Sequence, residues 1–153
     1  MSEGGLTLDQ SSLAAVLDTL GRGEDAALAR LFELLAIPSV STDRAFDADC
    51  RKAAAWCVAA LREIGFQAEV RPTAGKPMVL GHCHGRDRSA LPSVLFYGHY
   101  DVQPPDPLEE WTNPPFSPQL MDDARYGKVI VARGATDDKG QVMTFIEACR
   151  ARR

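Results

Sequence analysis

The 153-residue sequence contains no run of about 18 consecutive apolar residues, so no segment is expected to cross a bilayer as a helix. It has no basic run and no basic amphipathic helix: 17 Lys and Arg stand against 21 Asp and Glu, a formal net charge of −4. Nucleic acids and anionic membranes are bound through clustered positive charge, so neither is an expected partner. The opening MSEGGLTLDQSSLAAVLDTL lacks a positively charged start and a small-residue cleavage pattern, so a secretory leader is not indicated and a cytoplasmic location is expected. Internal repeats and low-complexity segments are also missing. Cysteine is sparse, and Cys50, Cys57, Cys83 and Cys149 include no C-x-x-C pair. Cys50 and Cys57, seven apart in a helical stretch, are separated by about 10.5 Å of axial rise, too far to bridge. Four reduced, mostly packed thiols are expected. Apolar residues, by contrast, are plentiful at 45%, too many for a disordered tail and enough for one globular domain with a core.

Periodicity predicts an α/β order. Leu6 to Leu20 is a helix candidate with a weak apolar face, and Gly21 and Gly23 then punctuate the chain. From Glu24 to Ala36, Leu28, Leu31, Phe32 and Leu35 fall at i, i+3, i+4 and i+7, so an amphipathic helix is predicted, stopping before Ile37-Pro38. The loop IPSVSTD comes next. Phe46 to Ile64 is the clearest helix, with Cys50, Ala53, Cys57, Ala60, Leu61 and Ile64 on one face and Gly65 ending it. The period then becomes two: Phe66, Ala68 and Val70 alternate with Gln67, Glu69 and Arg71, a half-exposed strand. Pro77 to His84 is a second strand candidate. Ser93 to Tyr97 is apolar without alternation, the pattern of a central strand covered on both faces. Residues 102–127, rich in proline, are expected to form one long loop. Val129–Val131 is a short strand, and a last helix carries Val142, Phe145, Ile146 and Cys149 on one face. A layered α/β domain accommodates this order.

Two places could carry chemistry, and each comes directly after a predicted strand. Functional groups in open α/β sheets gather at the carboxyl ends of strands. In Gly98-His99-Tyr100-Asp101, an extended backbone turns His99 and Asp101 to one side. The carboxylate can then accept a proton from one imidazole nitrogen while the other faces a metal. The plainer alternative is a partly buried His satisfied by its neighbouring Asp. In Thr136-Asp137-Asp138-Lys139-Gly140 a helix begins, and an Asp there can simply cap orphan N–H groups. Capping accounts for one aspartate better than for two. His82 and His84 share a strand face without a nearby carboxylate, and a metal role for them is not favoured. Trp111 and Phe116 are expected to pack their own loop, and Glu109 and Glu110 to be solvated.

VLFYGHYDVQPPDPLEEWTNPPFSPQL followed by ARGATDDKG resembles the M20 family of dinuclear metallopeptidases. The HYDVQP and W-x-x-x-P-F wording, with IPSVSTD upstream, resembles its dipeptidase branch, the carnosinase-like or cytosolic non-specific dipeptidases; the likeness runs from about Ala26 onward. The resemblance implies that residues 1–153 are an incomplete N-terminal part of a three-layer α/β/α metallopeptidase catalytic domain, without the lid domain. It implies His99 as a metal ligand, Asp101 as the catalytic partner orienting its ring, and Asp137 as the carboxylate bridging two metals. Asp138 matches the residue after the bridge, joined to it in this family by a peptide that is often cis. Ala132-Arg133-Gly134 departs slightly from the family's common Gly-Arg-Gly.

The implied cofactors are two divalent metal ions, zinc with manganese as the alternative. The implied substrate is a dipeptide or small peptide, and the full-length form is expected to be a homodimer. The family's Glu-Glu pair (general base and ligand), a further acidic ligand and a late His find no counterpart here. The isolated chain is therefore expected to be inactive and to bind zinc weakly, and Val94 to Tyr97 to leave an open apolar edge. The ragged ACRARR ending suggests truncation. Two other roles stay open: a non-catalytic remnant or interaction module using the exposed sheet edge and an unpacked last helix, and another M20 amidohydrolase of the aminoacylase or desuccinylase type.

Overall fold

The computed structural model describes residues 10–84 and 93–152, and its architecture is mixed α/β, as expected. Helix α1 (Gln10–Arg22) leads through Gly23 into α2 (Glu24–Leu35), whose first turn carries Glu24 and Asp25 where the helix dipole favours negative charge. Gly21 thus lies inside α1 and does not punctuate the chain, and residues 6–9 of the predicted first helix lie outside the described residues. After the segment 36–43, a short 3-10 turn (Arg44–Phe46), capped by the Asp43 carboxylate, opens α3 (Asp47–Glu63). Gly65 lies just beyond at φ +84°, the left-handed conformation that stops a helix at little cost only in glycine.

Strands β1 (Gln67–Arg71) and β2 (Met78–His82) pair antiparallel, with Gln67 opposite His82 and Arg71 opposite Met78. β2 ends at His82, so Cys83 and His84 fall beyond the strand expected to contain them. β3 (Gln119–Asp123) pairs antiparallel with β4 (Gly127–Val131), and α4 (Lys139–Ala151) closes the described chain. β3 corrects the expectation of one loop over 102–127. Its hairpin is made locally: Asp123 accepts hydrogen bonds from the Arg125 and Tyr126 amides at 2.8 Å each, and Gly127 supplies φ +73°. All five β3 residues are exposed, so no apolar alternation announces the strand.

The second correction concerns Ser93 to Tyr97, which is not a strand. A strand is held by ladder partners, and none lies alongside this run among the described residues. Val94, Leu95 and Tyr97 are 87%, 94% and 84% exposed, so the run is apolar and uncovered but, belonging to no sheet, is not the sheet edge expected from the resemblance. Phe96 alone turns inward, stacked on Phe145 with ring centroids 4.0 Å apart.

The core gathers Leu34 and Ile37, the α3 face Ala53, Cys57, Ala60 and Ile64, and Met143 and Ile146 of α4. Small residues on α3 let it lie close to the β1–β2 hairpin. All four cysteines are free, and burial pushes the Cys57 thiol up to about 12, so it packs as a small apolar group. Around the core, Arg30 grips Glu147 with two hydrogen bonds at 2.7 and 2.6 Å, joining α2 to α4. Arg150 reaches Glu63 at 2.8 Å, joining α4 to the end of α3. The inward face of α4 is Lys139, Met143 and Ile146; Met143 and Lys139 were not on the predicted face.

Backbone closeness at the start of α4 yields a test. A Cβ on Gly140 would sit 2.1 Å from the Ala135 carbonyl oxygen, whereas one on Gly21 meets nothing within 4 Å. Gly140→Ala is expected to lose at least about 1–3 kcal/mol, the usual cost of forced overpacking. Gly21→Ala is expected to gain roughly 0.5–1 kcal/mol from helix propensity. Urea denaturation midpoints measured side by side check both.

Candidate metal centre

The stretch leaving residues 93–97 does not hang free. The Val102 amide donates to the Ser39 carbonyl at 3.0 Å, Ser39 Oγ donates to the Tyr100 carbonyl at 2.7 Å, and Val40 and Val102 form a parallel bridge. Ser39, Val40 and Val102 are buried, so residues 99–102 are fixed against the segment between α2 and α3.

On that support His99 is oriented from both sides. Nδ1 lies 3.1 Å from the Asp101 carbonyl oxygen and 3.2 Å from its Oδ1, two acceptors that place the ring proton on Nδ1. Nε2 lies 3.0 Å from Asp137 Oδ1. The extended geometry expected from the sequence, with His99 and Asp101 on one side, is thus realised. Burial works to lower the His99 pKa, but the Asp101 carbonyl and charge, the Asp137 carboxylate and the Asp138 charge outweigh it, holding the imidazole above its usual range.

The two aspartates have separate tasks. Asp138 occupies the N-cap position of α4, yet its side chain makes no capping bond there. Its Oδ2 accepts the His99 amide at 2.9 Å, tying the two chemical stretches backbone to side chain. The simple capping alternative therefore does not describe this carboxylate. Asp137, joined to Asp138 by a cis peptide, presents a side chain that is 82% exposed. Gly98 permits the approach: a Cβ there would lie 3.0 Å from Asp138 Oδ2 and 2.8 Å from Val142 Cγ2.

One residue that the sequence analysis did not single out stands behind this turn. Lys139 is fully buried, and its Nζ donates to the carbonyls of Leu34 at 3.0 Å and Ile37 at 2.7 Å; burial pushes its pKa down to about 8. The signal was its place: Lys139 falls on the helical face of Met143 and Ile146. Gly134, at φ +86°, threads the preceding turn between Val102 and Lys139, where a Cβ would come within 2.8 Å of Val102 Cγ1.

The donor set fits a divalent ion. A neutral imidazole nitrogen and a carboxylate oxygen 3.0 Å apart can both reach one cation with bonds of about 2.0–2.1 Å. The fit is partial, since no group of three or more His, Cys, Asp or Glu arranged to hold a metal occurs among the described residues. His82 and His84 are exposed, their rings stacked 6.0 Å apart. Trp111 packs its loop as expected, donating to the Pro105 carbonyl at 2.7 Å beneath the Arg133 guanidinium, and Glu109 and Glu110 are exposed.

Comparison with known proteins bears on the family. Residues 95–153, which contain both chemical stretches, match the model of peptidase family M20/M25/M40. The chain is 38% identical to a succinyl-diaminopimelate desuccinylase of Stenotrophomonas maltophilia, over 76% of this chain and 27% of that protein. It is 31% identical to the Cys-Gly metallodipeptidase DUG1 of Candida albicans, over 95% of this chain and 32% of that one. Among solved structures it resembles the dipeptidase Dug1p of Saccharomyces cerevisiae, with a TM-score of 0.77 and 29% identity, covering 92% of this chain and 31% of that one. It likewise resembles human carnosine dipeptidase 1, with a TM-score of 0.76 and 28% identity, over 91% and 30% of the two chains. The chain thus spans about a third or less of the length of these relatives.

The carboxylates around His99 should be visible in its titration. In wild type the imidazole is expected to titrate above 6.5, and Asp137→Asn, which removes a charge favouring the imidazolium, is expected to move that midpoint down. Following the ring protons by NMR across pH checks this, and an unmoved midpoint would contradict the observed contact.

Proposed function

The chain belongs to peptidase family M20, is dipeptidase-like and corresponds to the N-terminal portion of its relatives; from that premise we propose that it supplies an imidazole and a carboxylate to a divalent-metal centre hydrolysing dipeptides or small peptides. The observation that carries this reading is His99 Nε2 held 3.0 Å from Asp137 Oδ1 with Asp101 behind the ring.

In this proposal His99 binds the ion through Nε2, because Asp101 keeps the proton on Nδ1 and raises the basicity of the free nitrogen. Asp137, the exposed carboxylate, has an oxygen facing His99 and a second free to reach a neighbouring ion. Asp138 holds residues 98–99 against the start of α4 and takes no ligand role. A pair of divalent ions, zinc or alternatively manganese, would supply Lewis acidity toward the scissile carbonyl and acidify a water. The chain's own residues then set donor type, tautomer and spacing.

The remaining features go with the same proposal: a homodimeric full-length form, a cytoplasmic setting, and neither nucleic acid nor membrane as partner. The formal net charge is −4, and among the described residues no helix is long and apolar enough to cross a membrane. A second reading, removal of an N-succinyl group, has the 38% identity to a desuccinylase in its favour. Coverage of nearly the whole chain by a metallodipeptidase, and two dipeptidase folds, favour the first.

The test is an exchange: this chain replaces the corresponding third of the Candida albicans metallodipeptidase, and Cys-Gly and N-succinyl-diaminopimelate are offered with zinc or manganese. Cys-Gly hydrolysis is expected, falling at least about 100-fold with His99→Ala or Asp137→Asn and about 10–100-fold with Asp101→Asn. Turnover of the succinyl amide alone would support the second reading. The 153-residue chain by itself is expected to hydrolyse neither, and dipeptide turnover by the pure chain would overturn the division of labour.

A further inference from the structure

His99 and Asp137 come from stretches 38 residues apart, yet both are moored to one short piece of chain. From one side, Lys139, two residues beyond Asp137, sends its ammonium to the Leu34 and Ile37 carbonyls. From the other, the Ser39 hydroxyl donates to the Tyr100 carbonyl and the Ser39 carbonyl accepts the Val102 amide, bracketing Asp101. Leu34, Ile37, Ser39, Val40, Val102 and Lys139 are all buried, so neither mooring can slide without opening the core. We propose that the segment Leu34–Val40 is the common anchor that sets the distance between His99 and Asp137, with Lys139 and Ser39 as its positioning residues. The proposal rests on the metal-centre reading above.

The chemistry of the anchor supports the assignment. Leu34 lies in the last turn of α2, at the negative end of the dipole; its carbonyl takes the Ile37 amide at 3.3 Å and that of Ile37 takes the Ser39 amide at 2.8 Å, so Lys139 uses the second lone pair of each. A buried ammonium needs such acceptors, and among the described residues no carboxylate is bonded to Lys139; its donated bonds go to this segment. An apolar side chain of similar length could fill the same space, but it would give the Asp137–Asp138 turn no directional tie. Ser39 is likewise fully buried, and its one hydroxyl is committed to the residue between His99 and Asp101.

Binding of Co²⁺ to the 153-residue chain tests this without relying on turnover, since the ligand-field absorption of bound Co²⁺ reports the arrangement of its donors. Wild type, Lys139→Met, Ser39→Ala and His99→Ala are titrated with Co²⁺ up to millimolar concentrations, with circular dichroism showing which variants are folded. Folded Lys139→Met and Ser39→Ala are expected to bind about 10-fold more weakly than wild type and with an altered spectrum. If Lys139→Met does not fold, Ser39→Ala, which removes a single hydroxyl, decides alone. Affinity and spectrum equal to wild type in the folded variants, with His99→Ala abolishing binding, overturn the positioning role and leave the metal reading intact. Wild-type binding that is absent, or unchanged in His99→Ala, overturns both.

Discussion

The Lys139 ammonium is the charge that the packing has to accommodate, because it has no exposed surface. A buried cation is tolerated only where oxygens replace its water, and here the replacements are main-chain carbonyls of Leu34 and Ile37, 105 and 102 residues earlier in the chain. The requirement fixes several things at once. It brings the last turn of α2 to the first turn of α4, and it orients α4 so that Met143 and Ile146 continue the same buried face. It also places Asp137 and Asp138 on the turn leading into that helix. The paired Arg30–Glu147 bonds act on the opposite part of the same two helices. Their relative position is therefore set at two points, one buried and one partly exposed.

The rest of the architecture is uneven. The helices and the β1–β2 hairpin enclose the core, in which the small α3 residues allow close approach. The β3–β4 hairpin is held by its own ladder and by the Asp123 turn, with its β3 side exposed along its length. Val94, Leu95 and Tyr97 present apolar side chains to solvent, and no strand pairs with their backbone among the described residues, a surface that favours pairing with another strand. That feature sits beside the fact that the matched relatives are about three times as long.

The candidate site separates orientation from ligation. Asp101 and Asp138 are occupied with His99, one through the ring proton and one through the backbone amide, leaving Nε2 and the Asp137 carboxylate to face each other. A nitrogen and an oxygen donor on rigid supports suit any divalent ion of moderate softness.

The amino-acid sequence alone determined the local structure wherever burial has a short period. The i, i+3, i+4 pattern placed α2 and α3, alternation placed β1, and the two long motifs containing His99-Tyr100-Asp101 and Asp137-Asp138 carried the family resemblance and with it the candidate residues. Tertiary structure decided what depends on distant partners. Residues 93–97 looked like a covered strand because hydrophobicity registers the tendency to be buried and not the presence of a ladder. β3 went unseen because its five exposed residues have no apolar face to alternate, and its partner and turn define it. Ser39 showed no significance in its own neighbourhood and Lys139 only its place on the buried face of α4, since the acceptors that justify burying them lie 61 residues away in the first case and 102 and 105 in the second. A side chain's tendency to fold is written locally, but the oxygens that make a buried charge tolerable exist only once the chain has closed on itself.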